Sequence, residues 1–491
     1  MMDTFIGIDL GTSAVKLLLV AENGKVIANA TKAYPITYPR SGWSEQAPEN
    51  WYNAVICGLK ELLKGQDRAC VNGIGLGGQM HGLVPLDKDG AVIRPCILWN
   101  DGRTEKQTEY LNEVIGREKL TEYTANIAFA GFTAPKLLWL KENEPHNFEK
   151  LSKILLPKDY IVYRLCGQFS TDYSDASGTL LLDVKHKKWN DNMLQICSVE
   201  RSMLPDLHES YEAVGTLLPT LADELGPPKS ITICAGAGDN AAAAIGTGTV
   251  ADGDCSISLG TSGTVFIARD SFSSYGNNAL HSFCHATGNY HLWGCILSAA
   301  SCNSWWMDKI LGTRDFASEQ TGLMDMLGKN YVFFLPYLMG ERSPHNDVNA
   351  RGAFIGMRLG TTRREMTLAV LEGVAFALKD CVEAAKRYGT DVKRTRICGG
   401  GSKSKLWQQI ISDVMDMPVE SPSTEEGPSY GAAILAMVAC GAYAGIREAA
   451  AITGVRQTIY PDAAAAALYK DKYDVFTRLY PALKNVFRVP E

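Results

Sequence analysis

The chain has 491 residues, of which 46% are hydrophobic and 21% charged, and its formal net charge is −6. This composition excludes a mainly disordered chain, and the length predicts two or more domains. No basic run offers a footprint for nucleic acid, and the longest apolar stretch, Gly431 to Gly445, is too short to span a bilayer and reads as a buried helix. Neither nucleic acid nor membrane is therefore expected as a partner. No basic segment followed by a long apolar run opens the chain, so a cytoplasmic location is expected. The 13 cysteines form no CxxC pair and read as buried free thiols of a reducing compartment, which disfavours a zinc site.

The first predicted element is an apolar strand from Phe5 that runs into Gly11-Thr12-Ser13, with a second strand over Val15 to Val20. Such a turn can present backbone N–H groups and hydroxyls to phosphate oxygens, and Asp9 just before it can hold a hydrated magnesium ion. A plain hairpin is the alternative. Next, the strand Val71 to Leu76 enters a loop, Gly77 to Gly82, in which Gln79, Met80 and His81 can contact a polyol. His81 could equally be a loop or core histidine. Trp99-Asn-Asp-Gly-Arg103 joins an aromatic ring to Asp101 and Arg103, which suits sugar binding or an Asn-Asp-Gly turn.

Ile231 to Ala235 is a further buried strand, followed by Gly236-Ala-Gly-Asp-Asn240 and an alanine-rich helix from Ala241. Asp239 has two readings there: a proton acceptor for a substrate hydroxyl, or the N-cap of the helix. Cys255 to Gly263 then repeats the opening hairpin, with Thr264 to Ala268 as its second strand; Leu-Gly-Thr-Ser begins at 10 and again at 259. Gly260 and Thr261 lie in this second phosphate-type turn. Two related domains follow from the echo, 1–248 and 249–491, with the boundary in the Gly/Thr-rich stretch before Asp254. Arg364 to Tyr388 has helical spacing, Arg396 to Cys398 is a short strand entering Gly399-Gly400-Gly401-Ser402, and Ala463 to Ala467 leads a C-terminal helix. The glycine turn can lie against a nucleoside. This alternation predicts an α/β fold, while the absence of a Walker A motif and of a GxGxxG opening a helix disfavours P-loop and dinucleotide folds.

Several motifs together resemble the FGGY carbohydrate kinases over nearly the whole chain. They include Asp-Leu-Gly-Thr-Ser (9–13), Gly-Gln-Met-His-Gly (78–82), Leu-Trp-Asn-Asp-Gly-Arg (98–103), Gly-Phe-Thr-Ala-Pro-Lys (131–136), Leu-Pro-Lys-Asp-Tyr (156–160), Gly-Asp-Asn-Ala-Ala (238–242) and Gly-Glu-Arg-Ser-Pro-His (340–345). The resemblance implies a two-domain actin-like ATPase fold, with ribonuclease-H-like domains around a central cleft. The N-terminal domain would bind sugar and supply the base, and the C-terminal domain would bind nucleotide. It implies ATP and Mg2+, Asp239 as catalytic base and Asp9 as the metal-associated carboxylate. Gly11, Thr12, Ser13, Gly260, Thr261, Gly400, Gly401 and Ser402 would serve the nucleotide. Met80, His81 and Asn240, with Trp99 and Asp101, would serve the sugar. Lys16 falls where glycerol kinases carry a nucleotide-contacting arginine, and its role stays open. The activity implied is phosphorylation of the terminal hydroxyl of D-xylulose. Ribulose, fuculose, rhamnulose, gluconate and glycerol are the alternatives within the family, and a homodimer is allowed. A non-enzymatic actin-like ATPase or a sugar-sensing regulator is a rival of another class. A regulator descended from a kinase is expected to have lost Asp239 or Asp9, and both are present.

Overall fold

The structure, a computed structural model, describes residues 2–226, 231–274, 278–387 and 389–487. The strands form two seven-stranded sheets among the described residues. Across the first run Ala213–Thr216, Thr232–Cys234, Val71–Gly78, Thr4–Leu10, Ala14–Ala21 and Val26–Ala33, with Ala237–Gly238 also pairing Val71–Gly78. Across the second run His281–Cys284, Tyr290–Ile296, Gly263–Arg269, Cys255–Leu259, Thr395–Cys398, Val419–Pro422 and Val455–Ile459.

The two sheets follow one plan. In each, the first strand of a hairpin pairs antiparallel with its partner and parallel with a later strand, Val71–Gly78 or Thr395–Cys398. A second parallel strand and an antiparallel edge strand complete that side. The central strands are buried on both faces, as in Ile6, Ile8 and Leu17 to Val20, so their sequences are continuous apolar runs rather than alternations. The echo at 10 and 259 thus extends to strand order and direction.

Arg363–Lys386 is the long helix expected from spacing, opened by a capping box between Thr362 and Glu365. Tyr388, the expected last residue, lies outside the described residues. The apolar stretch expected as a buried helix to Gly445 is helical from Gly427 to Ala439 and turns at Gly441, whose φ is 77°. This helix comes from the later half of the chain, yet it covers the first sheet. Only glycines permit its approach: a Cβ on Gly75 would lie 1.9 Å from the Ala432 carbonyl oxygen. Nine cysteines are buried, but Cys57 is exposed and Cys70, Cys398 and Cys440 are partly so, which corrects the expectation of uniformly buried thiols. Cys57 lies in the helix Pro48–Leu62 among residues that do not all face the sheet. Among the described residues no helix is long and apolar enough to cross a membrane.

Candidate active site

The parallel strands of each sheet end on one edge. Leu10 pairs with Gly78, and Gly78 with Gly238, so the turns after them (11–13, 79–82 and 239–240) are neighbours. In the second sheet Ser258 pairs with Cys398, which sets the 260–262 and 399–402 turns side by side. Carboxyl ends of parallel strands are where open α/β sheets bind ligands.

A cavity of about 400 Å³ lies between these edges. Met80, His81, Trp99, Asp239 and Asn240 line it from the first half, and Thr261, Ser262, Trp293 and Arg342 from the second. Asp239 is the first residue of the helix Asp239–Gly246, and the N-cap is Gly238 with no side-chain capping bond. The carboxylate accepts the Asn240 N–H at 2.7 Å. The capping reading of Asp239 therefore fails in the geometry, and burial raises its pKa to about 6. Asp9 is raised to about 7, first by burial and then by the charge of Asp239, against the opposing charge of Lys16. Lys16 sits directly across the hairpin from Asp9 and is ion-paired with Glu426. Both aspartates remain partly open to the cleft.

His81 has a φ of 70°, rare for histidine, and its ring stacks on Phe132 at 4.7 Å. Its Nδ1 is 2.8 Å from the Gly178 carbonyl, so Nδ1 carries the proton and Nε2 is left as an acceptor. Burial first, then the nearby Lys136 cation, lowers its pKa to about 3 and keeps the ring neutral. Lys136 ties the loop down, donating to the His81 and Gly131 carbonyls at 2.8 and 2.7 Å. Asn240 Nδ2 approaches Met80 Sδ at 3.8 Å. Trp99 Nε1 donates to Thr12 Oγ1 at 3.0 Å, which links the cavity to the first phosphate-type turn.

Asp101 is placed differently. Its carboxylate is buried and accepts from Ser44 N at 2.6 Å and from Arg103 N, Nε and Nη2 at 2.9, 2.8 and 2.7 Å. It lines an adjoining cavity that shares Trp99, Gly131, Leu297 and Arg342 with the first. Gly11, Thr12, Ser13, Gly260 and the 400–402 turn are not among the residues that line the main cavity. The Gly260 and Thr261 carbonyls accept from Ala300 N and Ala299 N, each at 2.9 Å, which pins the second turn. Gly399 has a φ of 86°, and a Cβ on Gly401 would meet Leu259 at 2.9 Å, whereas nothing lies within 4 Å of one on Gly400. The third turn thus packs on the end of the neighbouring strand and leaves an open backbone face at Gly400.

Phe132, Trp293 and Arg342 line the cavity but were not singled out as candidates from sequence. Arg342 lies inside the Gly-Glu-Arg-Ser-Pro-His motif, which was the available signal. Buried Glu341 accepts from Leu297 N and Arg342 N at 2.9 and 2.8 Å and so fixes the backbone from which Arg342 projects.

Residues 4–246 match the N-terminal domain of the FGGY family of carbohydrate kinases, and residues 255–440 match its C-terminal domain. The xylulose kinase of Escherichia coli (strain K12) is 39% identical over 492 residues, covering 98% of this chain and 99% of that relative. A crystal structure of a xyloylose kinase from Brucella ovis superposes with a TM-score of 0.94 at 38% identity, covering 98% of this chain and 100% of the other. A gluconate kinase from Lactobacillus acidophilus also reaches 0.94, at 25% identity, with 98% of both chains covered. The two repeated sheets around a cleft are the actin-like ATPase fold of these kinases, and the chain belongs to the FGGY family of carbohydrate kinases.

Proposed function

We propose that the chain is an ATP-dependent kinase that transfers the γ-phosphoryl group to the terminal hydroxyl of D-xylulose, giving D-xylulose 5-phosphate and ADP in the cytoplasm. The observation that carries this reading is Asp239: an uncapped carboxylate with a raised pKa, in a cavity whose opposite wall carries the Thr261-Ser262 turn. Asp239 accepts the hydroxyl proton while the hydroxyl oxygen bonds to phosphorus and ADP departs. His81 Nε2, an acceptor, receives a sugar hydroxyl, Asn240 holds the sugar beside the base, and Met80 and Trp99 give apolar contact. Asp101 acts on the sugar through the loop that it braces with Ser44 and Arg103. The turns at 11–13, 260–261 and 400–402 cradle the nucleotide. In this division, residues 1–248 bind the sugar and supply the base, with the 11–13 turn reaching the phosphates, and residues 249–491 bind the rest of the nucleotide.

Asp9 is a partly buried carboxylate whose proton affinity is raised by burial and by the charge of Asp239, a setting that suits a divalent cation and supports Asp9 as the group that would hold Mg2+. Bound there, the ion would neutralise charge on the phosphates. A carboxylated sugar is the second reading. Arg342 is the one cationic side chain among the described residues lining the cavity, and a gluconate kinase shares the fold.

A panel of D-xylulose, D-ribulose, L-fuculose, L-rhamnulose, gluconate and glycerol, assayed by coupled ADP release, tests the proposal. D-xylulose is expected to give the highest kcat/KM. A higher value for gluconate moves the function to the second reading, and no sugar-dependent ADP release overturns both.

A further inference from the structure

Behind Asp239, and outside the cavity, lies a buried polar chain that the chemistry above does not use. Lys158, Asp172 and Ser174 are all buried. Asp172 Oδ1 is 2.9 Å from Lys158 Nζ, and its Oδ2 accepts from Ser174 N, Ser174 Oγ and Ser210 Oγ at 2.8, 2.5 and 2.8 Å. Because the Ser174 hydroxyl gives its proton to Asp172, a lone pair of Oγ is free to accept, and it takes the Gly238 N–H at 3.1 Å. Gly238 is the N-cap residue immediately before Asp239.

Lys158 also supports the strand on the other side. A Cβ on Gly78 would meet Lys158 Cβ at 3.0 Å, and Gly78 pairs with Gly238. Its ammonium sits 2.6 Å from Asp159 and 3.9 Å from Asp175. Three carboxylates around one ammonium would leave two uncompensated charges in a dry site. Asp175, whose oxygens have no hydrogen-bond donor among the described residues, is pushed well toward the neutral form, by burial first and with its carboxylate neighbours adding to it. Burying such ions costs several kcal/mol per ion, so hydrophobic burial does not account for the cluster.

We propose that Lys158, Asp172 and Ser174 are positioning residues: a brace that fixes the Gly238 peptide and thereby aims the Asp239 carboxylate at the sugar hydroxyl. This inference rests on Asp239 being the base. Without the Ser174 oxygen, the Gly238 N–H loses its partner and the start of the helix is free to tilt. A displacement of roughly 1 Å in a reacting group costs up to about 100-fold in rate.

The test is steady-state kinetics on Ser174→Ala, Ser174→Thr and Asp239→Asn, with thermal melts of each. Ser174→Ala is expected to lower kcat by about 10- to 100-fold while the KM values for sugar and ATP stay within about twofold. Ser174→Thr keeps the oxygen and is expected to recover most of kcat. Should Ser174→Ala not fold, Asp172→Asn carries the same expectation, because its one remaining oxygen is drawn to the Lys158 ammonium and its NH2 group then turns a donor, not an acceptor, to the Ser174 hydroxyl. Wild-type kcat in Ser174→Ala overturns the brace, as does a loss seen in KM alone or an equal loss in the alanine and threonine variants. Wild-type kcat in Asp239→Asn overturns the proposed base itself, and the brace with it.

Discussion

As the proposed base, Asp239 stands one residue past the N-cap position of its helix. Gly238 occupies the N-cap position with no side chain to offer, and the aspartate carboxylate accepts the Asn240 N–H while the rest of it faces the cleft. Burial then raises its pKa to about 6, near the range where a base is half-ionised in the cell. The sign follows from the cause: the buried carboxyl holds its proton at pH values where a free aspartate has lost it. Wild-type kcat/KM is therefore expected to fall about tenfold per pH unit below about pH 6. Asp239→Asn should lower kcat by roughly two to four orders of magnitude and abolish that acidic limb. A retained limb in the variant would assign it to Asp9, whose pKa is raised to about 7. His81 cannot supply it, since its pKa is lowered to about 3.

At the scale of elements, glycine decides how closely helix and sheet approach. The helix Gly427–Ala439 lies so near the first sheet that a side chain on Gly7 would sit 1.8 Å from the Ser429 carbonyl oxygen, and one on Gly75 1.9 Å from that of Ala432. These are backbone atoms and cannot rotate aside. Gly75→Ala is expected to destabilise the protein by about 3 kcal/mol in urea unfolding, at the upper end of overpacking costs. Gly360, which has open space around it, supplies the control: Gly360→Ala should stay within about 0.5 kcal/mol. Equal effects at both positions would deny that close approach is the reason for glycine.

For the molecule as a whole, the cavity belongs to neither half. Met80, His81 and Asp239 come from one side, and Thr261, Trp293 and Arg342 from the other. Ligands that bridge the two sides should favour one closed arrangement. D-xylulose with a non-hydrolysable ATP analogue is expected to raise the melting temperature by more than the sum of the separate shifts. Strictly additive shifts would mean that the halves respond independently. Such a closed arrangement would bring the proposed base and phosphate turns together while excluding water, which is what transfer to a sugar rather than to water requires.

The sequence by itself determined the hairpins, the α/β class, the echo between halves and the family. Each is carried by local apolar runs, turn residues or contiguous motifs, which are properties of neighbouring residues. It also pointed to Asp9, Met80, His81, Trp99 and Asp239, because each sits at the end of a predicted strand or in a short polar or glycine-rich segment. The tertiary structure decided the rest. Phe132 and Trp293 line the cavity without a signal in the sequence, since an apolar side chain looks the same whether it faces a core or a cavity. The saturation of Asp101 depends on Ser44, 57 residues away. The attachment of Gly427–Ala439 to the first sheet depends on surfaces that meet only after the chain has folded back. Whether Asp239 is cap or base was likewise undecidable locally. The same sequence permits both, and only the folded chain shows the N-cap position at Gly238, with Ser174 bonded behind it.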